Sequence, residues 1–249
     1  MSSPAGGSQK SFWDHLEELR WVFLRAAVVL ITLFVVLFFF KGLLFDTVVL
    51  GPARDSFWLY RLLGLEPAIK LVNIDVTAQF FIHIRIAFLA AVVLAFPYLV
   101  FELWRFVVPA LYEREKVAFR KALGLGGGLF YAGILCGYFI VMPLVMYFFA
   151  GYRVSDAVEN TFNLSSYISV FTAMVFMMGI LFEFPSVILV LSSLGVVDRQ
   201  KLKSFRKYAL VIVLILAAIL TPTGDPFTLM VVSVPLYLLY EFSIALCGK

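Results

Sequence analysis

The sequence predicts an all-α integral membrane protein, a six-transmembrane helix bundle with the N- and C-termini cytoplasmic and with spans five and six short. Three observations predict it. First, 63% of the 249 residues are hydrophobic and 14% are charged, with a mean hydropathy of +0.99. Soluble domains carry about 45–50% apolar and about 25% charged residues. The excess is too large for a core alone, so the outside is apolar too and lipid is the solvent. Second, the apolar residues fall into six runs, at about 22–40, 77–98, 123–150, 167–194, 208–221 and 227–246. Third, Lys and Arg are unevenly divided between the two sets of connecting segments, fourteen against five. The richer side is the cytoplasmic one by the positive-inside rule. An even number of spans then returns the C-terminus to the side of the N-terminus.

Taken in order, residues 1–10 are small and polar, without the apolar stretch of a secretory signal, and read as a disordered cytoplasmic tail. Residues 11–249 read as a single six-helix transmembrane domain. Ser11 with Asp14 fits a helix start, and Phe12, Leu16, Leu19 and Phe23 recur at helical spacing. This predicts an amphipathic helix lying in the headgroups ahead of span one, with Arg25 near the entrance of that span. The outer segment 41–76 has Gly51-Pro52 and Gly64 as turn signals and a short interfacial helix around 57–63. Span two ends near Pro97. A cytoplasmic loop rich in aromatics and charges follows. Span three opens on Gly124-Leu-Gly-Gly-Gly128, which permits close helix approach. Asn163-Leu-Ser-Ser is a plausible start for span four. Span five has roughly 14 residues, about 21 Å of helix against a hydrocarbon core of about 30 Å. It crosses a thinned bilayer, is shielded by its neighbours, or forms a re-entrant hairpin with span six. Asp225, in the turn before span six, is placed to cap that helix.

The net charge of +4 and pI near 9 come from basic residues flanking apolar spans, so lipid headgroups, not nucleic acid, explain them. Neither Cys136 nor Cys247 suggests a disulfide or a metal site. No His-Glu-x-x-His or Gly-x-Ser-x-Gly occurs, and His15 and His83 lie on opposite sides of the bilayer. An enzyme is therefore not expected, and no cofactor or metal.

The rare polar groups carry the functional signal. Asp14 and Glu18 lie one turn apart before span one. Glu102, Glu113 and Glu115 have no role in orientation; pairs with Arg105, Arg114 or Lys116 would make them structural, and otherwise they form a negative spot on a basic face. Glu183 stands mid-span, about 12 residues or about 18 Å from the cytoplasmic end. A carboxyl at that depth is protonated, paired or hydrated. Pro185 frees a carbonyl one turn back. Gln79 shares a surface with His83 early in span two.

Several ordered motifs resemble the TatC family, the core receptor subunit of the twin-arginine protein translocase. They are His15-Leu-Glu-Glu-Leu-Arg20, Phe96-Pro97 followed by Trp104-Arg-Phe-Val-Val-Pro-Ala-Leu-Tyr112 and Glu115, Phe182-Glu-Phe-Pro185, and Ser204-Phe-Arg-Lys-Tyr208. The resemblance covers about residues 11–246. It implies a bacterial inner-membrane receptor for folded cargo whose N-terminal signal carries two consecutive arginines. It also implies single-span partners of the TatA and TatB type, self-association in a larger complex, and transport driven by the proton gradient. By motif, Glu18 and Glu115 fall where the family contacts the arginine pair. Arg20, Phe106, Pro109, Leu111 and Tyr112 shape that site, Glu183 is the intramembrane acid, and Asp225 is the outside-turn acid. Glu102 stands where the family pattern has Gln and implies an extra negative charge at the mouth. A proton-coupled small-molecule transporter, the main rival, predicts paired broken helices in two related halves, which the sequence does not display.

Overall fold

Each apolar run is helical in the computed structural model, which describes residues 12–67, 69–110, 113–155, 157, 160–221 and 224–247. The expected tail lies outside the described residues, as do the side chains of 12–14, 110, 113–115 and 118. The helices are α1 (Phe12–Phe39), α2 (Trp58–Leu63), α3 (Ala78–Val107), α4 (Glu113–Cys136), α5 (Met142–Gly151), α6 (Leu164–Leu181), α7 (Phe184–Ser193), α8 (Arg199–Ser204), α9 (Arg206–Leu220) and α10 (Pro226–Leu246). Among the described residues five segments are long and apolar enough to cross a membrane, including Phe119–Gly151 (mostly α4 and α5) and Leu164–Ser193 (α6 with α7). The sixth, α9, has 15 residues, about 22 Å of helix.

Two boundaries differ from expectation. The amphipathic segment is not a separate headgroup helix: it continues into span one as a single 28-residue helix. Nothing between 12 and 39 breaks it, since the stretch contains neither Pro nor Gly. Span two does not stop at Pro97 but runs ten residues further, to Val107. A helix-interior proline removes the hydrogen bond to the carbonyl four residues back, here that of Val93. The Tyr131 hydroxyl of α4 donates to that carbonyl at 3.0 Å. A neighbouring helix thus supplies the missing donor, which is how prolines are tolerated in membranes.

The core lies where α3, α4, α5, α6 and α10 converge, with Met142, Val145, Ile168, Met174 and Met178 buried. A seam of small residues sets the closest approach. A Cβ at Gly133 would meet the Met178 carbonyl and the Gly179 Cα, and one at Gly137 the Met174 carbonyl. The expected glycine run contributes only Gly126 to such contact, while Gly124, Gly127 and Gly128 face open space. By contrast α1 packs chiefly on α3, and none of its most apolar stretch is buried.

The side opposite the chain's N-terminus carries the longer connections. Residues Leu43–Val49 form a π-helical segment, followed by a 3₁₀ turn at Gly51–Ala53. Tyrosines of the bundle pin this region: Tyr138 donates to the Val48 carbonyl at 2.9 Å and Tyr167 to that of Val49 at 2.6 Å. Tyr60 of α2, fully buried, shares its one hydroxyl proton between the carbonyls of Pro52 (2.9 Å) and Pro143 (3.1 Å). Burial pushes its phenol up from the ordinary value. β1 (Lys70–Val72) pairs in parallel with β2 (Thr161–Asn163), Leu71 facing Phe162, joining the two loops. No sequence pattern announced this pair.

Candidate functional site

The end of the molecule where α1 begins is built by three elements. α1 and α3 run antiparallel, which the ring and ion-pair contacts define: His15 stacks on Phe106 (4.3 Å between centroids), Arg25 reaches Glu102, and at the far end Phe38 stacks on His83 (4.1 Å). His15, Glu18, Val22 and Arg25 follow the i, i+3, i+7, i+10 spacing of one helix face. Glu18 therefore sits on the stripe that meets α3, between a stacked aromatic pair and an ion pair. α4 begins at Glu113, three residues after Ala110, the end of the 3₁₀ turn Val108–Ala110 that follows α3, so its first turn starts within about 11 Å of that turn. Glu115 lies in that first turn. The acidic positions from two distant segments thus share one end of the bundle.

Glu102 corrects an expectation. It is only 3% exposed, and its carboxylate accepts from Arg25 Nε at 3.0 Å and Nη2 at 2.7 Å and from the Tyr98 hydroxyl at 3.0 Å. The forked guanidinium matches the carboxylate geometry, so the charge at 102 is already neutralised from α1. It adds no free negative charge at the mouth, and its forked partner is Arg25 of α1, not the nearby loop cations that the sequence suggested. The signal for the pairing was present in the spacing: Tyr98, Glu102 and Phe106 are four apart on one face of α3. Sequence reasoning lacked the α1–α3 register that places Arg25 opposite.

The other predicted positions are dispersed. Arg20 is exposed on α1, and Pro109 is exposed in the 3₁₀ turn Val108–Ala110. Leu111 and Tyr112 lie outside the described residues. Asp225 caps α10, accepting from the Thr228 amide at 2.7 Å. Gln79 is exposed in the first turn of α3 and lines a cavity of about 490 Å³ with Lys41, Asp46, His83 and Leu164. It does not meet Glu183, which is nineteen residues beyond Leu164 along span four, about 28 Å away along the helix.

Glu183 occupies the break between α6 and α7, with Pro185 at the start of the second helix. Its carboxylate lies over Gly126 of α4, where a Cβ would collide with Oε2, and beside Ser186. Its Oε1 is buried without a hydrogen-bond partner. A mid-membrane acceptor with unused capacity is costly to hold. Gly126 and Ser186 were not anticipated as its neighbours. Span three is also interrupted, by π-helical residues Gly137–Val141.

The fold and these polar sites define a polytopic helical membrane protein with acids at the end where α1 and α4 begin and with Glu183 deep in span four. Residues 14–235 match the family described as Sec-independent protein translocase protein (TatC). The chain is 35% identical over 252 residues to the TatC protein of Blattabacterium sp. subsp. Periplaneta americana (strain BPLAN), covering 95% of this chain and 94% of that one. It is 34% identical over 237 residues to that of Aquifex aeolicus (strain VF5), covering 95% and 93%. Two crystal structures of a twin-arginine translocase receptor, TatC, superpose with TM-scores of 0.75 and 0.78. They are 34% and 33% identical to this chain, and the matches cover 93% and 94% of it and 97% and 100% of theirs. The chain belongs to the TatC family and is a component of a Sec-independent protein translocase, a transport protein and not an enzyme.

Proposed function

We propose that the chain is the receptor subunit of a bacterial inner-membrane translocase, with both termini cytoplasmic, and that it binds the twin-arginine signals of folded cargo at the end where α1 and α4 begin. What supports this reading is that α1, which carries Glu18, and α4, with Glu115 in its first turn, both begin at that end, beside the α1–α3 contact. A guanidinium is planar and always charged, and a carboxylate accepts its forked N–H pair. Two arginines need two acceptors on two segments held near each other. Arg20, Phe106, Pro109, Leu111 and Tyr112 shape the surround, and Arg25 keeps Glu102 from competing for the cargo cations.

Glu183 is the deep polar contact for a partner helix of the TatA or TatB type or for an inserting signal, and Gln79 belongs to a separate polar site on the opposite side. The chain self-associates in a larger complex, and the proton gradient drives transport. Capture of an Arg-Arg signal peptide tests the receptor reading. Wild type retains Arg-Arg over Lys-Lys signals, and a Glu18→Ala, Glu115→Ala double variant loses that preference; equal capture by both proteins overturns the assignment. For Glu183, Gln preserves partner association and Ala abolishes it.

A further inference from the structure

The stripe of α1 that meets α3 is nearly featureless. Its half-buried positions recur at helical spacing from His15 to Phe38, and from Leu19 onward every one except Arg25 is apolar. In water, burial would hold such a stripe in place. In lipid it does not, because acyl chains solvate aliphatic side chains as well as a neighbouring helix does. α1 also packs chiefly on α3, with none of its most apolar stretch buried. Its Leu, Val and Phe side chains would repack at little cost after a slip of one turn, about 5.4 Å.

One contact along this span has a direction. Between Trp21 and Phe39 the polar side chains are Arg25 and Thr32. Thr32 donates to the Val28 carbonyl of its own helix at 2.8 Å. Arg25 reaches across to α3 and forks onto Glu102, Nε at 3.0 Å and Nη2 at 2.7 Å. Tyr98, one turn earlier on α3, donates to the same carboxylate at 3.0 Å. A slip either way would withdraw the guanidinium and strand a carboxylate that is 3% exposed, a strongly unfavourable outcome. A single polar contact in an apolar seam is also how coiled coils fix their register.

Register decides where the acid of α1 stands. Glu18 lies on the same stripe seven residues before Arg25, two turns or about 10 Å toward the start of the helix. A one-turn slip would carry it about 5.4 Å along α3, away from the level where His15 stacks on Phe106.

We propose that Arg25 and Glu102 are positioning residues: their ion pair fixes the register of α1 on α3 and so sets the height at which Glu18 meets a signal. The height of Glu18 matters to cargo under the receptor reading above, whereas the register stands on the contacts alone. Spin labels at Phe39→Cys and Phe101→Cys, both exposed positions, measure the offset of the two helices in the full chain carrying Cys136→Ala and Cys247→Ala. With the pair intact, double electron–electron resonance gives one narrow distance. An Arg25→Leu, Glu102→Gln variant, which leaves no buried charge, adds a population displaced by about 5 Å, one turn. The reversed pair, Arg25→Glu, Glu102→Arg, restores the single distance. Arg25→Lys, which keeps the charge but loses the fork, broadens the distribution and serves where the uncharged variant does not fold. Capture of signal peptides follows the distances: the preference for Arg-Arg over Lys-Lys is lost in Arg25→Leu, Glu102→Gln and regained on reversal, a rescue that a merely stabilising pair would not show. An unchanged distance in Arg25→Leu, Glu102→Gln overturns the register role. A displaced distance with the Arg-Arg preference intact overturns the positioning of Glu18. Absence of that preference in wild type overturns the receptor reading, and the distances still decide the register.

Discussion

Arg25 and Glu102 illustrate how a single pairing decides what a charge can do. Arg25 is about one-third exposed and Glu102 is 3% exposed, so the two partners are unequal when one is removed. Arg25→Gln leaves the Glu102 carboxylate with only the Tyr98 hydroxyl, and we expect it to lower stability more than the reciprocal change. Glu102→Gln leaves a guanidinium that can swing to water and costs less. Thermal unfolding of the two variants in one detergent checks the order; an equal or reversed order contradicts the unequal burial. This pair also marks what the sequence could and could not show. The identity of every acid in the candidate site was readable from motifs, because intramembrane and loop acids are few. Which cation neutralises Glu102 was not readable, since Arg25 is 77 residues away and the register of α1 on α3 is a tertiary fact.

At the scale of elements, the prolines explain where reading failed. The apolar run of span two ends near Pro97, a residue that deletes a backbone donor. The helix continues because Tyr131, on a different helix, donates to the Val93 carbonyl. Tyr131→Phe removes that donor and leaves the carbonyl unpaired, so we expect a loss of about 0.5–2 kcal/mol and faster amide exchange around residues 94–101. Unchanged exchange there would show that α3 tolerates Pro97 unaided. Polar caps, by contrast, were legible: Asn163 accepts from the Ser165 amide at 3.0 Å and Asp225 caps α10. Cap chemistry is local in sequence, whereas carbonyl rescue is not. The same locality gives α8 a pH response. The Lys201 amide holds the Asp198 carboxyl below the usual carboxylate range, with the Lys201 ammonium adding to this. A depressed folded value means that the cap stabilises α8 above the unfolded-state value and is lost as pH falls through the folded one. Limited proteolysis around 196–205 should therefore accelerate only in acid, and Asp198→Asn should flatten that dependence.

For the whole molecule, the six apolar runs and the charge asymmetry were enough to define an all-helical membrane bundle, because lipid forces backbone groups to pair within each span. How the spans nest was not legible, since nesting depends on which small residues face which backbone. Gly133 faces the Met178 carbonyl and Gly179, and one turn further Gly137 faces the Met174 carbonyl. This seam joins α4 and its π-helical continuation to α6, and along the same helix Gly126 gives room to the Glu183 carboxylate. The helix seam and the intramembrane acid are therefore one construction, and disturbing the first should move the second. Gly133→Val places a branched side chain against backbone, which cannot yield as a flexible side chain would. We expect α4 and α6 to separate, at a cost of about 1–3 kcal/mol for overpacking, and residue 183 to become reachable from water. Gly128→Val, at an open position of the same helix, serves as the control for the added volume. With a cysteine at position 183, labelling by a water-soluble maleimide in membranes should rise in the Gly133→Val background and stay at the parent level in the Gly128→Val background. Equal labelling in both would separate the placement of Glu183 from the glycine seam.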